Sequence, residues 1–401
     1  MQSQCKEQLD GKNVPMMLDG WSNIHNEPVV CVSVTTSDGD SYLTETVDTS
    51  GHAHTAEYLQ EVATSAIIST EQRYSCKVGT FVTDNASNMV KMRRQLTSDS
   101  VTTDTNIISY GCSAHYLNLL AKDIEIPGVK EHIVQIVKYF RNTHLPAAWY
   151  KFTGGKKLVL PQEVRWNTIP DSLQCYLEIW TMILKVCEDH RDTINGTIAM
   201  KVQNINIKRN AEDYLKRMKP IAVALDKVQS DSCKLSDAVE VWKALKRDMD
   251  SLMPSIVTHK VQDRYKQALT AAHYLANLMD PRYRGINLSK DEVDAGLELC
   301  SLDYTSCLPT VINFSAEAGP FKPFMFTEEV LKAISPLTWW ESQKSALESD
   351  VIVLCRKILG GVASSAGVER IFSTFGFVHS KVRNRLGTVK AGKLVFFIQT
   401  P

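Results

Sequence analysis

The sequence predicts an α/β part built on a mixed sheet, then an all-α part, closed by a helical segment suited to self-association. Three observations lead there. Over residues 13–170, short runs rich in Val and Thr alternate with turn signals and helical stripes. Over 171–347, strand signals nearly vanish and apolar residues recur at helical spacing. Over 348–401 helical signals return, and the stretch ends in Leu394-Val395-Phe396-Phe397-Ile398, which is apolar all round and needs cover from this chain or from a partner. Residues 1–12 are expected to be a disordered or truncated start.

Each element has its own signal. Residues 14–18 are an apolar run ending at Asp19-Gly20-Trp21-Ser22. Residues 29–35 and 42–47 flank the turn signal Ser37-Asp38-Gly39-Asp40, so they are expected to pair as a hairpin. A helix should start near Thr55, with Glu57 favourable in its first turn and Leu59, Val62, Ala63, Ala66 and Ile67 on one face. Residues 78–83 form a buried strand ending at Asp84, and 107–110 one more. Helices from about Ala114 and over 129–140 complete the order strand-strand-strand-helix-strand-helix-strand-helix, a mixed sheet with an antiparallel start. Further on come three stripes: Leu215, Met218, Ala222, Leu225 and Val228; Trp242, Leu245, Met249 and Leu252; Val261, Tyr265, Leu269, Ala272 and Leu275. Asp280-Pro281 stops the last. Residues 307–323, with Pro309, Gly319, Pro320 and Pro323, are expected to be an irregular connection.

Bulk properties narrow the function. A chain of 401 residues with 44% apolar content is globular and large enough for more than one domain. Its formal net charge is zero, so it does not grip nucleic acid through overall positive charge, although a local basic face remains open. The start is polar, no apolar run approaches transmembrane length, and ten cysteines are scattered without short spacings; free thiols in cytosol or nucleus are expected, and no membrane partner.

Several side chains carry chemistry in one reading and only structure in another. Asp19 and Asp84 each follow a strand-like run. They bracket Mg²⁺ in the first reading, since that ion takes hard oxygen ligands, and they are ordinary turn aspartates in the second. Cys112-x-x-His115 is half of a zinc pattern, and with no second pair nearby no zinc is expected. Arg165-Trp166 either holds a phosphate and stacks a base or packs as core. Lys381, Arg383, Arg385, Lys390 and Lys393, interleaved with Val382, Leu386 and Val389, form either a solvated helix face or a DNA contact. Val368, Ile371, Phe372 and Phe375 share one helix face, with Glu369 at its margin.

Taken in order, these pieces resemble the hAT transposase superfamily. The matching stretches are Asp19-Gly20-Trp21-Ser22, Val47-Asp48-Thr49-Ser50-Gly51, Val82-Thr83-Asp84-Asn85-Ala86-Ser87-Asn88-Met89, Cys112-Ser113-Ala114-His115, Arg165-Trp166, Leu278-Met279-Asp280-Pro281-Arg282-Tyr283, Trp339-Trp340 and the block Ser364 through Ser373 with Arg383-Asn384-Arg385-Leu386. The resemblance implies a ribonuclease-H-like core over 13–170, interrupted by an α-helical insertion over 171–347 and closed by helices and a dimerisation region over 348–401. It implies Asp19, Asp84 and Glu369 as an acidic triad holding two Mg²⁺ or Mn²⁺ ions, and His115, Arg165 and Trp166 as DNA contacts. Self-association would run through Val368, Phe372, Leu386, Leu394, Phe397 and Ile398. The expected partners are DNA and a second copy of the chain, in the nucleus. The alternative is a domesticated, catalytically silent nuclear protein that keeps DNA binding or dimerisation.

Overall fold

The computed structural model describes residues 2–22, 27–98, 107–161 and 168–378, together with 390, 392, 394 and 395. The chain forms two compact units, one of Met1–Tyr116, Val228–Lys243 and Tyr265–Pro401, the other of Leu117–Lys227 and Ala244–Arg264. The helical stretch 171–347 is therefore shared between them rather than gathered in one.

The first unit is built on one five-stranded mixed sheet. Its strands are β1 (Asn13–Ser22), β2 (Pro28–Thr35), β3 (Ser41–Asp48), β4 (Lys77–Thr83) and β5 (Ile108–Gly111), in the spatial order β3-β2-β1-β4-β5. The pairs β1–β2 and β2–β3 are antiparallel, whereas β1–β4 and β4–β5 are parallel. The helices between these strands are α2 (Ala56–Tyr74) after β3, α3 (Ser87–Ser98) after β4 and α4 (Ser113–Asp123) after β5, the order the alternating sequence leads one to expect. The middle strands are apolar on both faces because helices cover the sheet, and Val29, Val30, Cys31 and Val32 have no exposed surface.

Two details of the sheet were not legible beforehand. β1 continues past its apolar run through Asp19 to Ser22, because β2 goes on pairing with it where β4 has stopped: Asp19 faces Cys31 and Trp21 faces Val29. The β1–β4 register also slips between Val14 and Pro15, skipping Gly79. Pro15 has no N–H to give a ladder, and a slip of register accommodates it inside a central strand. Gly79 lets the helix Ser349–Gly360 come close, since a Cβ there would lie 3.0 Å from Lys357 Cγ.

Residues 2–9, expected as part of a disordered or truncated start, form helix α1 (Gln2–Leu9), whose Cys5 and Leu9 are buried in the core. α2 begins where expected. Its cap is Thr55, whose hydroxyl accepts from the Tyr58 N–H at 3.2 Å, and the five apolar positions predicted to face inward are all buried. Thr55→Ala should cost about 1 kcal/mol, read as a small drop in the denaturation midpoint; no change would show that the cap is idle.

The later helices were legible as stripes but not as separate rods. The stripe from Val261 to Leu275 belongs to two helices, Ser255–Ala268 and Ala271–Met279. The second starts on its own cap, where the backbone N–H and hydroxyl of Thr270 meet His273 Nδ1 at 3.2 and 3.0 Å. Leu252, counted as core, is exposed. Within 307–323, Leu308–Ser315 is helical, because Pro309 occupies the first turn, where a missing N–H costs nothing. Among the described residues, 171–347 holds no strand and only one isolated bridge, Lys234 to Val362. Trp339 and Trp340 are buried among Phe314, Phe321 and Phe326, and the Trp340 indole N–H donates to the Met279 carbonyl at 2.7 Å.

Candidate active site at the sheet edge

The topology brings distant residues to one edge. β1 and β4 run parallel, with Leu18 beside Thr83, so Asp19 and Asp84 follow at neighbouring positions where that ladder ends. β5 also runs parallel, with Gly111 beside Thr83, and the Cys112 N–H donates to the Thr83 carbonyl at 2.8 Å. The returning chain docks on this corner. Tyr110 Oη donates to the Val362 carbonyl at 2.9 Å, the Ser113 N–H to the Ala363 carbonyl at 3.1 Å, and the Ser365 N–H to Cys112 Sγ at 3.4 Å. The helix Ala366–Val378 starts immediately afterwards, which puts Glu369 in its first turn, where the helix dipole favours a carboxylate.

The apolar face of that helix fixes its seat. Val368, Ile371 and Phe375 are buried, and Trp21 at the end of β1 stacks on Phe372 at 6.0 Å and meets Phe375 edge-on at 5.2 Å. Val368 thus has no exposed surface, and Phe372 is covered in part by Trp21. Of the six residues expected to make a dimer contact, these two pack within their own chain. Leu394 is exposed, its neighbour Val395 is buried, and Leu386, Phe397 and Ile398 lie outside the described residues.

Asp19 is half-buried, and burial is the main reason its carboxyl is pushed up to about 8; the negative charges of Asp84 and Glu369 add to the shift, while the Gly20 N–H bond at 2.8 Å opposes it. Glu369 lies on the exposed margin of its helix, and its carboxyl is raised by desolvation and partly relieved by Arg370. Asp84 Oδ1 accepts from the Ala86 N–H at 3.0 Å. His115 occupies the first turn of α4 at the same corner, half-buried. Arg165 and Trp166 lie outside the described residues.

The donor set is all carboxylate, which suits Mg²⁺ or Mn²⁺. Crowded acidic charges that lift one member's pKa are in the state a divalent cation would relieve. Among the described residues, no three His, Cys, Asp or Glu side chains are arranged to enclose a single ion. Hard cations are commonly held by one or two carboxylates, with water and substrate oxygens filling the other positions.

Motif reading missed two groups at this corner. One is Trp21, quoted as part of a motif but not recognised as the anchor of the Glu369 helix. The other is Arg93 of α3, which sits in no motif at all. The zero net charge also hides an asymmetry. The unit Leu117–Lys227 with Ala244–Arg264 carries 21 Lys and Arg against 15 Asp and Glu, leaving 24 against 30 in the other unit.

Residues 2–139 match a domain of unknown function (DUF659), and residues 321–399 match the hAT family C-terminal dimerisation region. Over 96% of its length the chain is 22% identical to the putative AC transposase of Zea mays. The similarity to the putative AC9 transposase, also of Zea mays, has the same identity, 22%, over the same 96% share. The chain spans 57% of the length of each of these curated relatives. The ordered motifs, the match to the hAT C-terminal dimerisation region and the similarity along nearly the whole chain agree in what they resemble, transposases of the hAT type.

Proposed function

We propose that this chain is a DNA strand transferase of the transposase type, with a ribonuclease-H-like core on which Asp19, Asp84 and Glu369 hold two Mg²⁺ or Mn²⁺ ions. The observation that carries the reading is that the charges of Asp84 and Glu369 both act on Asp19 at the end of β1, although Glu369 is hundreds of residues from Asp19 in sequence. When bound, such ions activate the attacking oxygen and stabilise the leaving oxygen of a phosphodiester. The protein's part is to hold three acidic groups on a rigid edge, where divalent cations would offset their charges. With a carboxyl near 8, Asp19 Oδ keeps its proton at pH 7 in the metal-free protein and gives it up when a cation takes that place. Metal affinity should therefore rise between about pH 6 and 8, read by calorimetry in buffers of different ionisation heat; a flat profile would contradict the assignment of Asp19.

The basic helical unit is suited to hold DNA through its phosphates. Arg165 and Trp166, which fall in that unit by sequence, would contribute a phosphate contact and a stacking platform, and His115 a contact near the carboxylates. The reading places the protein in the nucleus and, through its dimerisation region, as a homodimer or higher oligomer. Incubating candidate terminal-repeat DNA with the protein and Mg²⁺ should give strand cleavage that chelation stops and Asp84→Ala abolishes; cleavage unchanged by Asp84→Ala would overturn the reading. Light scattering at tens of micromolar, about the range where a weak dimer shows, should report a dimer. The double variant Leu394→Asp with Phe397→Asp should shift it to monomer, and a wild-type monomer at that concentration contradicts the self-association claim.

A further inference from the structure

One buried cation at this corner has no role in what precedes. Arg93, in the middle of α3, is 7% exposed. Its guanidinium reaches three successive residues: the Thr83 hydroxyl, the Asp84 carbonyl, and Asn85 Oδ1 at 3.3 Å. All three acceptors are uncharged oxygens, and among the described residues no carboxylate is bonded to the buried charge. The opposite side of the same turn is tied as well. Asn85 Nδ2 donates to the Cys112 carbonyl at 3.0 Å, and Gly111 leaves the room, since a Cβ there would fall 1.9 Å from Asn85 Oδ1 and 3.2 Å from Arg93 Nη2.

We infer that Arg93 is the positioning residue for Asp84: its fork locks the backbone from Thr83 to Asn85 and aims the Asp84 carboxylate along the sheet edge. The inference rests on the reading of Asp84 as a metal-holding group. Burying a guanidinium without a bonded carboxylate is costly, and a turn of three residues can be held by neutral groups at lower cost. What this corner specifically needs is a cation beneath clustered acids. The charge of Asp84 lies close enough to act on Arg93 and offsets part of the desolvation cost. A planar fork also fixes direction, which an ammonium cannot do. Arg93 is not placed to touch substrate: it is 7% exposed, and its three hydrogen bonds to Thr83, Asp84 and Asn85 all go to the turn.

The test uses Arg93→Gln, Arg93→Lys and, as an independent disturbance of the same turn, Gly111→Ala. Two readouts are followed in the full chain. Amide exchange of Ala86, whose N–H is held by Asp84, reports the turn without any metal. Mn²⁺ affinity, by electron paramagnetic resonance, reports the aim of the carboxylate. In Arg93→Gln, Ala86 should lose protection while the α2 amides keep theirs, and Mn²⁺ affinity should fall about tenfold or more, as for other residues that orient metal ligands. Arg93→Lys should recover part of the affinity at most, and Gly111→Ala should repeat the pattern. A merely structural arginine would instead loosen the whole sheet and leave the affinity of the folded fraction unchanged. Wild-type protection at Ala86, or Mn²⁺ affinity within about twofold of wild type, overturns the inference. If the wild type binds no Mn²⁺, or Asp84→Ala binds it equally well, the metal reading fails on its own account. Ala86 protection in Arg93→Gln then decides the positioning claim alone: its loss supports the clamp and its retention overturns it.

Discussion

Asp19→Asn should abolish metal-dependent DNA cleavage, by about a thousandfold or more, while making the metal-free protein more stable at pH 8. The two effects share one cause. The Asp19 carboxyl sits near 8 in the folded chain against an ordinary 3.8. A raised carboxyl binds its proton more tightly folded than unfolded. Its favourable contribution is therefore complete below the ordinary value and is lost as the pH rises through about 8, where burial beside Asp84 and Glu369 forces an unfavourable charge. Asparagine removes that charge. The gain at pH 8 should be about 1 kcal/mol, well short of the full shift because the side chain is only half-buried. At pH 4 it should vanish, and adding Mg²⁺ should stabilise the wild type but not the variant. Thermal melts at the two pH values, alongside a cleavage assay, check all three statements. A variant that cleaves normally, or one that is destabilised at pH 8, contradicts the electrostatic picture of the site.

The second large effect is on folding. Asp280 is fully buried and accepts from Ser236 Oγ at 2.7 Å, from the Arg282 backbone N–H at 2.9 Å and from Arg282 Nη2 at 2.6 Å. Arg282 also binds Asp237 at 2.8 Å, and Tyr283 Oη donates to the same Asp237 oxygen at 2.7 Å. The Asp-Pro-Arg-Tyr segment is thus a closed polar network beneath the helix Ala271–Met279. Asp280→Ala removes one of the two carboxylates that hold the half-buried Arg282 guanidinium and takes the acceptor from the Ser236 hydroxyl, and should cost about 3 kcal/mol. Asp280→Asn keeps the size and one acceptor, and should cost less. Urea denaturation of the three proteins measures this; a loss below about 1 kcal/mol for the alanine variant would mean that the network is not structural.

How far the sequence could be read depended on the kind of order involved. The sheet was legible because each strand is a short apolar run closed by turn residues, and residues 78–83 before Asp84 show this plainly. The helical stripes were legible as faces, but a stripe does not reveal where a rod breaks, so the cap at Thr270 went unseen. Pro309 was taken as a sign of irregular chain because a breaker and a first-turn proline look alike without coordinates. The extension of β1 through Asp19 depends on β2, a neighbour that a one-dimensional pattern does not name. Phe372 shows a further boundary: an apolar face states that it must be covered, not by what, and here Trp21 of the same chain supplies part of the cover. Arg93 was invisible because its partners are a hydroxyl, a carbonyl and an amide brought together only by the turn. The three candidate carboxylates were singled out only through the ordered resemblance to one family, since two turn aspartates and a helical glutamate carry little signal by themselves.

The central claim is that Asp19, Asp84 and Glu369 share divalent cations. Anomalous diffraction at the manganese edge, from crystals grown with Mn²⁺, tests it most directly. The account requires anomalous density between Asp19 and its two acidic neighbours, absent in Asp84→Ala crystals grown the same way. Manganese bound elsewhere, or this corner left empty at Mn²⁺ concentrations that support DNA cleavage, would contradict it.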